Sequence, residues 1–194
     1  MAHATATRLF LIRHAPALHG GCLAGRSDVA ADLSDGAAIM RLRDLLAAAE
    51  PTDLVASPAR RCVQTAAALW PGRAPRLDPR LVEQDFGDWE GTAFAALPDL
   101  GPLAPAALAA HRPPGGESFA DLFARVAPAL EDLAGEGGRI AVMAHAGVVR
   151  AALALAVGSV PGALAFQVAP LSLSEVHALP GGGWSVASVN RTCA

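Results

Sequence analysis

The sequence predicts an α/β fold: a three-layer α/β/α sandwich with a mostly parallel central sheet and a small cap insertion at about residues 92–116. Three observations predict it. The runs Leu9–Ile12, Asp53–Ala56 and Ile140–Ala144 are almost unbroken apolar stretches, as in strands buried on both faces. Between them lie segments whose apolar residues recur at helical spacing. The resulting order, βαβα…αβα and then ββ, suits a parallel sheet with helices on both sides. With 194 residues, one domain with a substantial core is expected.

Residues 8–13 form the first expected strand, and the small and polar residues 15–33 a loop. Ser34 or Asp35 can cap a helix in which Ile39, Leu42, Leu45 and Leu46 share a face, until Pro51 stops it. After strand 53–56, Ser57 suits an N-cap and Pro58 a first helical residue, for a helix reaching about Trp70. The stretch 71–116 holds most of the prolines and no long period. It predicts a short strand near 80–83, a loop and the cap. Behind a Ser118 cap, Phe119, Leu122, Phe123, Val126, Leu130 and Leu133 mark one helix face, and Pro128 within it predicts a kink. Strand 139–144 and a helix from Gly147 to Gly158 follow. Residues 172–178 and 184–189 alternate around turn glycines and predict a terminal hairpin, which leaves room for a homodimer.

Composition narrows the function classes. A net charge of −3 argues against nucleic-acid or membrane-surface partners, so any anion site has to be local. Cys22, Cys62 and Cys193 are odd in number and lack metal-site spacing, which points to a reducing, cytoplasmic compartment. No basic segment with a long apolar run opens the chain, and Val148–Val157 contains Arg150 and is too short to span a bilayer. EF-hand, P-loop and HExxH patterns are missing, so neither metal nor cofactor is expected.

In an open α/β sheet, ligands bind beyond the carboxyl ends of the strands. There the three runs end in Arg13-His14, in Ser57-Pro58 with Arg60 and Arg61 just beyond, and in His145. If the strands are neighbours, two histidines and two or three arginines converge, a set suited to a phosphoryl group. A neutral imidazole such as His14 can attack phosphorus, provided its other nitrogen holds the ring in one tautomer. His145 precedes a helix whose first N–H groups, at Ala146-Gly147, favour an anion. Adjacent helical residues point apart, so one of Arg60 and Arg61 should dominate the pocket. Phosphoester cleavage also needs a carboxyl group to protonate the leaving oxygen. Glu83, Asp85, Asp88 and Glu90 in Leu81–Gly91 are candidates, and the residue chemistry alone does not separate Glu83 from Asp85. Taken singly, each of these residues has a commoner structural role: a strand-end histidine satisfied by backbone, or a solvated surface arginine. The remaining histidines read blandly. His3 lies in an extended terminus and His177 in the hairpin; His19 and His111 lie in loops near the expected active edge, where a solvated histidine is commoner than a substrate contact, and Phe86 and Trp89 more simply pack the cap than stack on an aromatic substrate base.

The chain resembles the histidine phosphatase superfamily, also called phosphoglycerate-mutase-like, from Leu9 to about Val189. Five motifs carry the resemblance in order: Leu11-Ile12-Arg13-His14-Ala15; Ser57 to Ala66 with Arg61 three residues before Gln64; Glu83 ahead of Phe86-Gly87-Asp88-Trp89-Glu90-Gly91; Gly115-Gly116-Glu117-Ser118; and Val142 to Arg150 around His145. The resemblance makes Arg61, not Arg60, the phosphate ligand and Glu83 the acid/base. Ala15 and Ala146 stand where the family usually has glycine. If position 15 required φ > 0, alanine there would cost about 1 kcal/mol. The loop Gly21 to Val29 resembles that of the α-ribazole phosphatases of cobalamin synthesis, with Leu23-Ala24 replacing a pair that ends in tyrosine.

The mechanism this implies has four parts. His14 attacks phosphorus; Arg13, Arg61 and His145 hold the equatorial oxygens; Glu83 protonates the leaving group and then activates water; and the guanidinium groups supply the charge that Mg²⁺ supplies elsewhere. Arg26, Ser27 and Ala146 are expected substrate contacts, and a small phosphorylated metabolite the expected partner. Three other readings compete. They are another substrate within the same chemistry, as in a broad-specificity phosphatase or a phosphoglycerate mutase; a non-catalytic phosphate-binding module on the same fold; and a structural α/β protein whose motifs coincide by chance.

Overall fold

The structure, a computed structural model, describes residues 6–192, so His3 and Cys193 lie outside it. Chain order is β1 (Thr7–Arg13), α1 (Gly36–Ala49), β2 (Asp53–Ala56), α2 (Arg60–Leu69), β3 (Arg76–Leu77), α3 (Pro105–Ala110), α4 (Phe119–Glu136), β4 (Arg139–Ala144), α5 (Ala146–Val157), α6 (Val160–Ala163), β5 (Leu173–Ala178) and β6 (Trp184–Arg191). The strands form one sheet in the order β3-β2-β4-β1-β5-β6. The pairs β2/β3, β2/β4 and β1/β4 are parallel, and the terminal hairpin β5–β6 adds antiparallel to β1. This is the expected mixed α/β sandwich.

Both faces of the central strands are buried, which explains why the runs lack polar alternation. Leu9, Leu11, Val55, Ile140 and Val142 pack with apolar residues of α4 and α5. Phe10, Ile12, Leu54, Ala56, Ala141 and Met143 face the other way, onto residues of α1 and α2. Of the two candidate caps for α1, Asp35 serves, accepting from the Ala38 N–H. A full capping box starts α4: Ser118 Oγ accepts from the Asp121 N–H at 3.1 Å and Asp121 accepts from the Ser118 N–H at 2.8 Å. The helix continues through Pro128.

Two local expectations need correction. Helix α2 begins at Arg60 rather than Pro58, and Ser57 does not cap it. Asp28, from the long loop, accepts from the Arg60 N–H at 2.7 Å instead. The strand expected near 80–83 lies earlier, at Arg76–Leu77, and Pro79–Leu81 forms a 3₁₀ turn. Proline has no N–H to give a ladder, and Asp78 caps the turn by accepting from the Arg80 N–H at 2.8 Å. Residues 92–116 contain a 3₁₀ turn, Phe94–Ala96, and α3.

Candidate active site

Strand register brings the motifs together. Arg13 of β1 is opposite Ala144 of β4, and Ala56 of β2 is opposite Met143, so His14, His145 and Ser57 leave the sheet side by side. The His14 and His145 rings meet edge to face with centroids 5.1 Å apart. Both side chains are buried.

His14 has its tautomer set by its neighbours. Nδ1 lies 2.6 Å from the Ala15 carbonyl oxygen, which can only accept, so Nδ1 carries the proton. Nε2 accepts from Arg61 Nε–H at 3.2 Å, so its lone pair faces the cationic cluster. Burial, assisted by Arg61 and Arg13 and opposed by the Ala15 hydrogen bond, lowers its pKa to about 3. Ala15 is not among the positive-φ residues, so alanine meets no strain there.

Arg61 is almost wholly buried, at 1% exposure. Besides facing His14, its Nη1 donates to the Ser27 carbonyl at 2.9 Å and its Nη2 to the Gly25 carbonyl at 2.6 Å. The loop that provides these carbonyls is itself held by Glu90, which accepts from the N–H groups of Gly25, Arg26 and Ser27 and from Ser27 Oγ. Arg13 donates from Nη1 to the Val168 carbonyl at 2.6 Å, while its Nε is buried without a partner among the described residues. Burial also lowers the Arg13 pKa. At His145, burial first and Arg61 second hold the pKa well below the ordinary imidazole range. His145 Nε2 is 2.9 Å from Ser57 Oγ and 3.4 Å from Cys62 Sγ. Cys62 itself is pushed up to about 12 by burial, so it stays a neutral thiol.

Glu83 accepts from the Gln84 N–H at 3.0 Å and from the Gly147 N–H at 3.3 Å, in the first turn of α5. A cleft of about 340 Å³ has Arg13, His14, Arg61, Glu83, Ala146 and Arg150 in its wall. Of the four candidate carboxylates, Glu83 lines this cleft. Asp85 accepts from the Gly87 N–H, and Glu90 clamps the loop behind Arg61.

The structure brings Arg13, His14, Arg61, Glu83 and Ala146 into one cleft wall, while His145, expected to hold a phosphate oxygen, is fully buried beside His14 and does not line the cleft. Arg26 and Ser27 are a correction. Arg26 donates to Glu117 at 3.3 Å and is not in the cleft wall. Ser27 lies behind Arg61, its carbonyl accepting from it and its hydroxyl turned to Glu90. Sequence reasoning also missed Ser57, Asp28 and Arg150. Ser57 stood at a strand exit like the two histidines, and that position was its available signal.

Known proteins show the same arrangement of chain. A bifunctional protein of Mycobacterium tuberculosis is 34% identical over 157 residues, which is 72% of this chain and 40% of that protein. The chain therefore spans about two fifths of the length of the curated relatives matching it at this identity. A glucosyl-3-phosphoglycerate phosphatase of Mycolicibacterium vanbaalenii is 31% identical over 172 residues, covering 78% of this chain and 74% of the relative. The solved structure of a mycobacterial glucosyl-3-phosphoglycerate phosphatase superposes with a TM-score of 0.83 at 26% identity, over 97% of this chain and 100% of that one. A candidate α-ribazole-5′-P phosphatase of Escherichia coli shares the fold, with a TM-score of 0.81 at 23% identity over 96% of this chain and 97% of that one. The family model of the histidine phosphatase superfamily (branch 1) matches residues 9–192, and the chain belongs to that family.

Proposed function

We propose that the protein is a phosphomonoesterase that works through a phosphohistidine and acts on a small phosphorylated metabolite, α-ribazole 5′-phosphate or adenosylcobalamin 5′-phosphate, in cytoplasmic cobalamin biosynthesis. The observation that carries the phosphatase reading is His14: a buried neutral imidazole whose Nε2 lone pair faces Arg61 inside a cationic cluster. Nε2 attacks phosphorus as the ester P–O bond breaks, and Glu83 gives its proton to the leaving alkoxide. Arg61 Nε–H, released from Nε2, turns to an equatorial oxygen, and the unpartnered Arg13 Nε–H offers a second donor. Glu83, now a carboxylate, takes a proton from water. The water oxygen forms the new P–O bond as the P–N bond breaks. The Gly21 to Val29 loop supports the α-ribazole assignment.

One observation favours a second reading within the same chemistry. Arg150, whose Nε donates to the Phe166 carbonyl at 3.0 Å, lines the cleft and suits the carboxylate of a phosphoglycerate ester such as the relatives' named substrate. Phosphate release from α-ribazole 5′-phosphate, glucosyl-3-phosphoglycerate and a panel of sugar and nucleotide phosphates, with His14→Ala as control, tests both. The expected result is a preference for α-ribazole 5′-phosphate that disappears in His14→Ala. Better turnover of glucosyl-3-phosphoglycerate keeps the chemistry and selects the second reading. Release that persists in His14→Ala sinks the phosphohistidine mechanism.

A further inference from the structure

A second chamber, of about 280 Å³, adjoins the catalytic cleft and shares Leu23, Gln84, Phe86, Phe119 and Leu164 with its wall. Its lining is apolar apart from Gln84 and His111, and contains no carboxylate, lysine or arginine. Gln84 is already engaged, donating from Nε2 to the Glu117 carbonyl at 2.7 Å. His111 stacks on Trp89, with centroids 5.5 Å apart and planes 28° from parallel. Its Nε2 is buried with no hydrogen-bond partner among the described residues. His111 is thus half-buried, stacked on Trp89, rather than free in a solvated loop.

These observations together specify an occupant. A sugar or a glycerate would leave hydroxyl or carboxylate groups unpaired against leucines, which is unfavourable. An apolar planar ring gains by burial there. A ring with one polar atom also gives the orphaned His111 nitrogen a partner, and unpaired buried polar atoms are costly. We propose that this chamber is the subsite for the leaving group and takes a planar, mostly apolar heteroaromatic ring, with His111 as a specificity residue. The proposal rests on the phosphomonoesterase reading, and it names the substrate class as an ester carrying a bulky base rather than a sugar or glycerate.

The test uses primary alkyl phosphates, whose leaving alkoxides are chemically alike: ethyl phosphate, glucose 6-phosphate, 2-(1-naphthyl)ethyl phosphate and 2-(benzimidazol-1-yl)ethyl phosphate. Burial of about 100 Å² of ring at about 25 cal/mol/Å² corresponds to a gain of up to about 70-fold. The expected kcat/KM for the two ring-bearing esters is therefore at least about tenfold above the other two. Leu108→Glu, at a half-exposed position in the chamber wall, should collapse that ratio. His111→Phe, which keeps a ring beside Trp89, should lower the benzimidazole-to-naphthyl ratio at least about threefold. Equal turnover of ethyl phosphate and the ring esters overturns the subsite and leaves the phosphatase reading standing; an unmoved ratio in His111→Phe overturns the role of His111. If no ester is hydrolysed, the phosphatase reading falls, and titration with 1-(2-hydroxyethyl)benzimidazole decides the chamber by itself. Quenching of tryptophan fluorescence that Leu108→Glu abolishes supports it, and no quenching overturns it.

Discussion

Replacing Gly147 by alanine should damage catalysis while leaving the protein folded. A Cβ at Gly147 would sit 2.3 Å from Glu83 Oε1 and 2.8 Å from Leu122 Cδ1, where real Cβ atoms essentially never come within 3.0 Å of such neighbours. The Glu83 carboxylate therefore has to retreat by about 0.7 Å or more, and it loses the Gly147 N–H that it now accepts from. A displacement near 1 Å in a reacting group costs on the order of 100-fold in rate. Two effects on stability oppose each other. Alanine within a helix gains about 1 kcal/mol over glycine, and overpacking against the buried Leu122 costs about 1–3 kcal/mol. The net is a loss of about 0–2 kcal/mol, too small to unfold the protein. The assay is steady-state phosphate release beside a urea titration. A kcat within twofold of the parent would refute the reasoning, since it would mean that Glu83 need not be where Gly147 allows it to be. If both changes act through one carboxylate, Glu83→Gln and Gly147→Ala should combine far less than additively.

Three other perturbations test the site. Arg61→Lys keeps the charge but not the fork that reaches His14, Ser27 and Gly25; kcat should fall about 10²–10³-fold, and near-parental turnover would remove Arg61 from the transition state. Ser57→Ala takes the hydroxyl from His145 Nε2 and should cost about 1 kcal/mol of stability and about tenfold in kcat, read by denaturant titration and phosphate release. His14, with an ordinary pKa of 6.5 lowered to about 3, and His145, lowered in the same direction, bind fewer protons folded than unfolded. Stability from this source is therefore full above pH 6.5 and is lost progressively as pH falls toward about 3; thermal melts should show that slope, and the double substitution His14→Gln with His145→Gln should flatten it.

The strand and helix signals that were legible depend on residues close together in sequence. The double-sided burial of β1, β2 and β4 shows as unbroken apolar runs, and the start of α4 shows as the Ser118 cap. Arg13, His14 and His145 were legible as candidates because each ends an apolar run, whereas Arg61 over Arg60 and Glu83 over Asp85 came from the family resemblance, since residue chemistry alone did not separate them. Asp28 as the cap of α2 was not, because Ser57-Pro58 makes an equally good local cap and Asp28 is 32 residues away from Arg60 in the chain. The role of Ser27 was misread for the same kind of reason. Its backbone carbonyl does the work, and a carbonyl has no side-chain identity from which to read it.

By itself the sequence determined the order of elements, the two-faced core and the list of chemically able residues, since all three follow from the period of apolar side chains and from residue type. Tertiary structure alone decided which nitrogen of His14 carries a proton, that Glu83 and not Asp85 lines the cleft, and that His111 stacks on Trp89 beside an apolar chamber. Those depend on contacts between residues far apart in the chain. There the strength of a hydrogen bond, the displacement of a pKa and the shape of a cavity are set by what surrounds a side chain, not by what precedes it.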